Sequence, residues 1–100
     1  MINHIVMFRL KDFAESASKE DNAIKMKSML EALPSKIKEI VGYEIYSNHK
    51  SGERAADLVL ISKFASWGDL TKYINEPEHR LCLEFVEKVT ADRWFLDFEN

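Results

Sequence analysis

Two short stretches of the sequence are apolar at every position, and they restrict the possible folds more than any other feature. They are Ile5–Phe8 and Leu58–Ile61. Successive side chains of a strand point to opposite faces, so a strand that is apolar throughout has to be covered on both. Both runs are far shorter than the roughly 20 residues that cross a bilayer. The sequence therefore predicts that these stretches form central strands of a sheet in a globular protein.

Composition limits the class of protein further. The chain has 100 residues, of which 46% are apolar and 31% charged, values typical of one globular domain, here residues 1–100. Its formal charge of -3 argues against a nucleic-acid partner, which favours clustered basic residues. The single cysteine, Cys82, permits neither an internal disulfide nor a cysteine-based zinc site.

The N-terminal segment does not match a secretory signal, because His4 and Arg9 interrupt its apolar stretch after a few residues. We therefore expect a cytoplasmic protein that does not associate with membranes. The three histidines lack the spacing of a metal-ligand motif. We expect neither a metal site nor a cofactor.

Residue periodicity and turn residues predict the remaining elements. The predicted strands are Ile2–Leu10, Tyr43–Ser47, Ala55–Phe64 and Thr90–Phe98. The predicted helices run from a Ser18 cap to about Leu33, from Trp67 to Asn75 after a Ser66 cap, and onward from Pro77. The order β-α-β-β-α-α-β predicts a ferredoxin-like split βαβ fold, with a four-stranded antiparallel sheet and helices on one face. Its first and third strands are then central.

Two helices carry apolar stripes that are predicted to face the sheet. In the first helix the stripe comprises Ile24, Met26, Met29, Leu30 and Leu33. In the third helix it comprises Leu81, Cys82, Phe85, Val86 and Val89.

One helical layer leaves the other apolar face of the central strands uncovered. An apolar patch of several hundred Å² is uncommon on a monomer. At about 25 cal/mol per Å², its burial is worth on the order of 10 kcal/mol before the costs of association. The simplest cover is a second copy of the chain placed sheet against sheet. We therefore predict a two-fold symmetric homodimer formed through the helix-free sheet face.

Two segments resemble a known family, the stress-responsive A/B barrel (Dabb) proteins. They are the opening strand, His4–Lys11, and the segment Phe64–His79, which has the Phe, capping Ser, Leu, Tyr and closing Pro-x-His of that family. The resemblance extends over nearly the whole chain and implies a dimeric α+β barrel. Activity in that family is mostly unassigned.

Some Dabb proteins cyclise polyketides in a pocket between sheet and helices, with a histidine as proton shuttle and a tyrosine beside it. The matching residues here are His4, Tyr73 and His79, which the resemblance makes candidate catalytic residues. Asp57 occupies the third-strand position that carries histidine in such enzymes, and it is a candidate ligand-binding residue. The first-helix tyrosine is replaced around Met26.

Each candidate also has a structural interpretation. His79 is either a general base or a side chain that fixes the start of its helix. His4 either meets Tyr73 and His79 in a small polar pocket or lies in the dimer interface. Tyr73 is suited to core packing, and Asp57 either pairs with His4 or is a solvated strand end.

Three functions are consistent with these residues. The first is an enzyme or binding protein for a small aromatic or polyketide-like ligand. The second is a stress-related structural or assembly protein without chemistry. The third is a haem-degrading or quinol-type monooxygenase, since Asn3, Trp67 and His79 supply the Asn, Trp and His of such enzymes in related barrels.

Overall fold

A computed structural model describes all of residues 1–100 and contains six strands and three α-helices. The strands are β1 (Ile2–Leu10), β2 (Phe13–Ala14), β3 (Ala17–Ser18), β4 (Gly42–Ser47), β5 (Leu58–Phe64) and β6 (Thr90–Glu99). The helices are α1 (Lys19–Glu31), α2 (Trp67–Asn75) and α3 (Pro77–Val89), with a 3₁₀ turn over Leu33–Ser35. None of the helices combines the length and the apolar character needed to span a membrane.

The main sheet has the strand order β4-β5-β1-β6, and all of its pairs are antiparallel. The two apolar runs lie on β1 and β5, which are central as predicted. In the register, Val6 of β1 stands between Leu60 of β5 and Phe95 of β6. The ferredoxin-like fold is therefore confirmed.

The core lies between one face of this sheet and the three helices. Its most completely buried side chains come from every layer, with Met26 on α1, Phe64 on β5, Tyr73 on α2 and Val89 on α3.

The predicted caps are confirmed at two helices. Ser18 Oγ accepts a hydrogen bond from the backbone N–H of Asp21 at 3.2 Å, and Ser66 Oγ accepts one from the backbone N–H of Asp69 at 3.1 Å. These bonds satisfy donors that a helix start leaves free.

The predicted apolar stripes were each too wide. Ile24 is 71% exposed and Leu81 is 60% exposed, so their assignment to the core was wrong. At 100° per residue, Ile24 lies about 200° around the helix from Met26. Leu81 directly precedes Cys82 and therefore lies about 100° around helix α3 from it, outside the buried face. The buried positions follow one narrow face in each helix, with i, i+4, i+8 spacing in α1 (Asn22, Met26, Leu30) and i, i+4, i+7 spacing in α3 (Cys82, Val86, Val89).

Strand β5 begins at Leu58 and not at Ala55 as predicted. The backbone before it is engaged in a turn, because the N–H of Ala55 donates to the carbonyl of Gly52 at 3.1 Å. The side-chain amide of Asn48 donates to the carbonyl of Ala56 at 2.8 Å. These bonds hold the preceding residues outside the sheet.

A small hairpin of β2 and β3 precedes α1 and was not predicted. Its two turn residues, Glu15 and Ser16, have φ angles of 51° and 61°, the left-handed geometry of a tight hairpin turn. The buried Asn22 of α1 fastens the hairpin, since its Nδ2 donates to the carbonyls of Ala14 at 3.0 Å and Ala17 at 3.4 Å.

The helix-free side of the main sheet, called the open sheet face here, is largely apolar. Side chains that alternate with the core-facing positions of β1, β5 and β6 lie on it. Leu96 is 61% exposed, and Met7 and Trp94 are nearly half exposed. The apolar side chains of this face are Ile5, Met7, Tyr46, Val59, Ile61, Trp94, Leu96 and Phe98. The central strands are thus apolar on both faces of the sheet, as predicted.

Replacing Asn22 is expected to destabilise the protein. Asn22→Ala leaves two carbonyls of the hairpin without their donor, so the free energy of unfolding falls by about 1–3 kcal/mol. Asn75→Ala is the matched control, because Asn75 also bonds a carbonyl (Thr71, 2.9 Å) but is exposed to water. Urea denaturation measures both changes. Equal losses in the two variants would contradict the role given to Asn22.

Candidate functional site

A cavity of about 300 Å³ lies between the helix-facing side of the main sheet and the helices α2 and α3. Fourteen residues line it, and ten of them are hydrophobic. The even positions of β1 form part of its floor, because His4, Val6 and Phe8 all point to the helix side. The three candidate residues from the sequence, His4, Tyr73 and His79, all line this one cavity.

His4 is held by a carboxylate that the sequence did not reveal. Asp97 stands directly opposite His4 in the register of β1 and β6, and its Oδ1 hydrogen-bonds Nδ1 of His4. The pair is mostly shielded from water, with the side chains 12% and 25% exposed. A partner on Nδ1 fixes the orientation of an imidazole and leaves Nε2 for a ligand. His4 therefore lies in the polar pocket and not on the open sheet face.

His79 is anchored in the same way from the opposite wall. Pro77 begins α3 directly after α2, which places His79 in the first turn of α3. Its Nδ1 donates to the carbonyl of Ile74 at 3.1 Å. His79 thus fixes the helix junction, and it also lines the cavity.

Burial lowers the pKa of His79 below its ordinary value. The bond to the Ile74 carbonyl opposes this shift, and the charges of His4, Arg93 and Arg80 add to it. A lowered pKa keeps the ring neutral at physiological pH. His79 is then able to accept a proton.

The ring of Tyr73 contacts both histidines. Its centroid lies 4.5 Å from the ring of His79 and 6.4 Å from the ring of His4. Its hydroxyl shares a hydrogen bond of 2.8 Å with the hydroxyl of Tyr43 on β4. Burial raises the pKa of Tyr73 to about 12 and raises the pKa of Tyr43 as well. Tyr73 is therefore neutral and buried between the two histidines, and its hydroxyl already has a hydrogen-bond partner.

Asp57 does not belong to this cavity. Its Oδ2 accepts the backbone N–H of Leu10 at 2.8 Å and lies 3.4 Å from Nζ of Lys19. Its side chain pairs neither with His4 nor with any other residue that lines the cavity. Its position just before β5 puts it at the far end of the β1–β5 pair from His4.

The Asn, Trp and His set considered for a monooxygenase is not brought together. Asn3 lies on the opposite side of β1 from His4, and its amide donates to Oδ1 of Asn100 at 2.8 Å. Trp67 is 47% exposed at the start of α2. Of the three residues, only His79 lines the cavity.

Cys82 lines the cavity as an unreactive thiol. Burial raises its pKa to about 11, so almost none of it is thiolate at neutral pH. No three or more of the His, Cys, Asp and Glu side chains gather into a group that could hold a metal ion. The polar chemistry of the cavity therefore comes from its two anchored imidazoles, the Asp97 carboxylate and one arginine.

Fold and cavity together define a ferredoxin-like α+β protein with an apolar pocket between its sheet and its helices. The chain belongs to the stress responsive A/B barrel domain family, whose model matches residues 2–100. The resemblance seen in the sequence is thereby confirmed. No protein of curated function matches the sequence.

Solved structures share the fold over nearly the whole chain. A dimeric protein of unknown function with a ferredoxin-like fold from Bacteroides fragilis is 29% identical, with a TM-score of 0.81 and coverage of 99% of this chain and 95% of that chain. A dimeric ferredoxin-like protein of unknown function from Thermobifida fusca is 22% identical, with a TM-score of 0.83 and coverage of 99% and 90%. The hydroxynitrile lyase of Passiflora edulis is 14% identical, with a TM-score of 0.81 and coverage of 97% and 90%.

The environment of His79 predicts a low titration midpoint. An NMR titration of its ring, assigned with a His79→Gln variant, is expected to give a midpoint below the ordinary value of about 6.5. Because the unfolded chain then binds a proton at higher pH than the folded chain, this residue reduces stability as the pH falls below about 6.5. A midpoint at or above 6.5 would contradict the assignment of a neutral His79.

Proposed function

We propose that this protein binds a small aromatic or polyketide-like molecule in its cavity and catalyses a proton transfer within that molecule. The observation that carries the proposal is the placement of two imidazoles, each anchored through Nδ1, around one apolar cavity. Anchored imidazoles with a free Nε2 are typical of general acid–base catalysis.

Size and polarity of the cavity favour a small ligand. Its volume of about 300 Å³ lies at the lower end of small-molecule sites. Its walls are mainly hydrophobic, with polar groups at His4, His79, Asp97 and Arg93. A mostly apolar molecule with a polar reacting group fits this distribution.

The two histidines have different partners and therefore different roles. His79, kept neutral by burial, accepts a proton on Nε2 from a carbon next to a carbonyl group. In its protonated form His4 keeps its bond to the Asp97 carboxylate and transfers its Nε2 proton to the carbonyl oxygen that becomes negative. The product of this step is the enol of the ligand. His79 carries the transferred proton until the enol reacts further.

The alternative of a purely structural or assembly protein is supported by the open sheet face and opposed by the cavity. Side chains would fill the space between sheet and helices in a protein without a ligand. Assembly and ligand binding use opposite sides of the sheet, so the two functions are compatible.

We also propose that the protein is a homodimer whose copies pack through the open sheet face. Solved relatives of the fold from Bacteroides fragilis and Thermobifida fusca are described as dimeric. Of the surfaces of this chain, the open sheet face carries the largest set of exposed apolar side chains in adjacent strands. Burying it against a second copy removes those side chains from water.

A cytoplasmic location is consistent with the state of Cys82. Its thiol is free and buried, and the chain contains no second cysteine with which it could pair. Such cysteine usage is typical of proteins from reducing compartments. We therefore propose a cytoplasmic location for this activity.

Proton transfer is tested with phenylacetone in D₂O, by following deuterium exchange next to its carbonyl group by NMR. The wild-type protein is expected to accelerate exchange, and His79→Gln to lower the accelerated rate about 10²-fold or more. His49→Gln is the matched control, since His49 lies in an exposed loop. Absence of acceleration by the wild type, or equal rates in the two variants, would contradict the catalytic part of the proposal.

Dimer formation is tested by light scattering after size exclusion. The wild type is expected to have twice the mass of the chain. Leu96→Asp places a charge in each half of the interface and is expected to weaken the dimer at least about a hundredfold. Ile24→Asp, at an apolar residue of α1 that is at least as exposed as Leu96, is expected to leave the dimer unchanged. A monomeric wild type, or the same effect of both substitutions, would exclude this interface.

A further inference from the structure

The cavity contains one permanently charged cation, Arg93 of β6. Its nearest carboxylate is Glu87 of α3, and the closest approach, from Nη2 to Oε1, is 4.0 Å. That distance is longer than a hydrogen bond, and both side chains are substantially exposed, at 38% and 60%. An ion pair of this kind contributes little. Arg93 is thus available to a ligand.

The polar groups of the cavity floor lie in a line along β6. Arg93, Phe95 and Asp97 all point to the helix side, opposite Phe8, Val6 and His4. Each two-residue step along a strand covers about 6.8 Å, so the backbone positions of Arg93 and Asp97 are about 14 Å apart. Between them lie the side chains of Val6 and Phe95. The floor therefore presents a cation, an apolar middle and the His4–Asp97 pair in that order.

We propose that the ligand of this protein carries a carboxylate, which Arg93 binds while the aromatic or apolar body of the ligand lies along Phe95. This inference rests on the proposed function, because it assigns one end of the ligand in the same cavity. The planar guanidinium matches a carboxylate with two parallel hydrogen bonds. The surrounding apolar wall strengthens such a charged contact relative to water.

Phe95 supplies the surface on which an aromatic body would pack. It is 73% exposed although it points to the helix side of the sheet. Its ring centroid lies 6.5 Å from the ring of His4. A ligand ring placed on Phe95 would cover this exposed face and would bring its far end next to His4.

The charge of Arg93 also acts on His79 in the same cavity. The charge of Arg93 is one of those that disfavour protonation of His79, which places the guanidinium within electrostatic range of that ring. A bound carboxylate would neutralise this charge. The anionic end of the ligand would then make His79 a stronger base.

The size of the cavity sets the probe. At the ~30 Å³ that a water molecule occupies in the liquid, a 300 Å³ cavity holds about ten non-hydrogen atoms. 3-Phenylpropionate is of this size and joins an aromatic ring to a carboxylate. 3-Phenylpropanamide has the same shape and no charge, so it serves as the neutral partner probe.

The test compares the affinities of the two probes by calorimetry or NMR titration. The wild type is expected to bind 3-phenylpropionate about tenfold more tightly than the amide. Arg93→Gln is expected to abolish this difference and to leave the affinity for the amide unchanged, while Arg93→Lys retains part of it. Arg80→Gln is the matched control, because Arg80 also lies near His79 but does not line the cavity, and it is expected to keep the full difference.

The outcomes separate the two proposals. If the wild type binds both probes equally, or if Arg93→Gln retains the preference, the assignment of Arg93 is overturned and the cavity remains a ligand site. If Arg80→Gln removes the preference as well, a general field and not contact with Arg93 is responsible, and the assignment is again overturned. If neither probe shifts the NMR signals of cavity residues at millimolar concentration, the proposed function fails and the assignment of Arg93 fails with it.

Discussion

The placement of β1 between β5 and β6 is the constraint from which the rest of the molecule follows. Hydrogen bonds on both edges fix the register of β1, and the register decides which side chains point to which face. The even positions put His4, Val6 and Phe8 under the helices. The odd positions put Ile5 and Met7 on the open sheet face. One alternation thus creates both a cavity floor and an apolar outer surface.

Buried polar groups persist in this apolar setting because each of them has a partner. No buried side-chain nitrogen or oxygen lacks a hydrogen bond. The histidines use Nδ1 for a carboxylate and a backbone carbonyl, and Tyr73 uses its hydroxyl for Tyr43. The bonds that make burial tolerable are also the bonds that orient the two rings. Stability and preorganisation of the site therefore have the same origin.

Sequence reasoning reached the central strands, the helix caps, the family and the three residues that converge on the cavity. It missed Asp97 and Tyr43, because a partner on a neighbouring strand depends on the strand register, and a partner between sheet and helix depends on their packing, neither of which one sequence specifies. It assigned Asp57 to the site by family position alone, whereas Asp57 bonds Leu10 and Lys19. Local signals such as caps are readable from neighbouring residues, whereas pairings between distant segments require the fold.

Strand β6 contributes to both sides of the sheet at the edge of the molecule. Its odd positions, Arg93, Phe95 and Asp97, line the cavity, and the residues between them lie on the open sheet face. If the proposed ligand site and dimer interface hold, changes at alternate positions of this single ten-residue segment would alter ligand recognition without disturbing self-association, or the reverse. Such independence would let descendants of one ancestral chain acquire new specificities while their quaternary architecture stays the same.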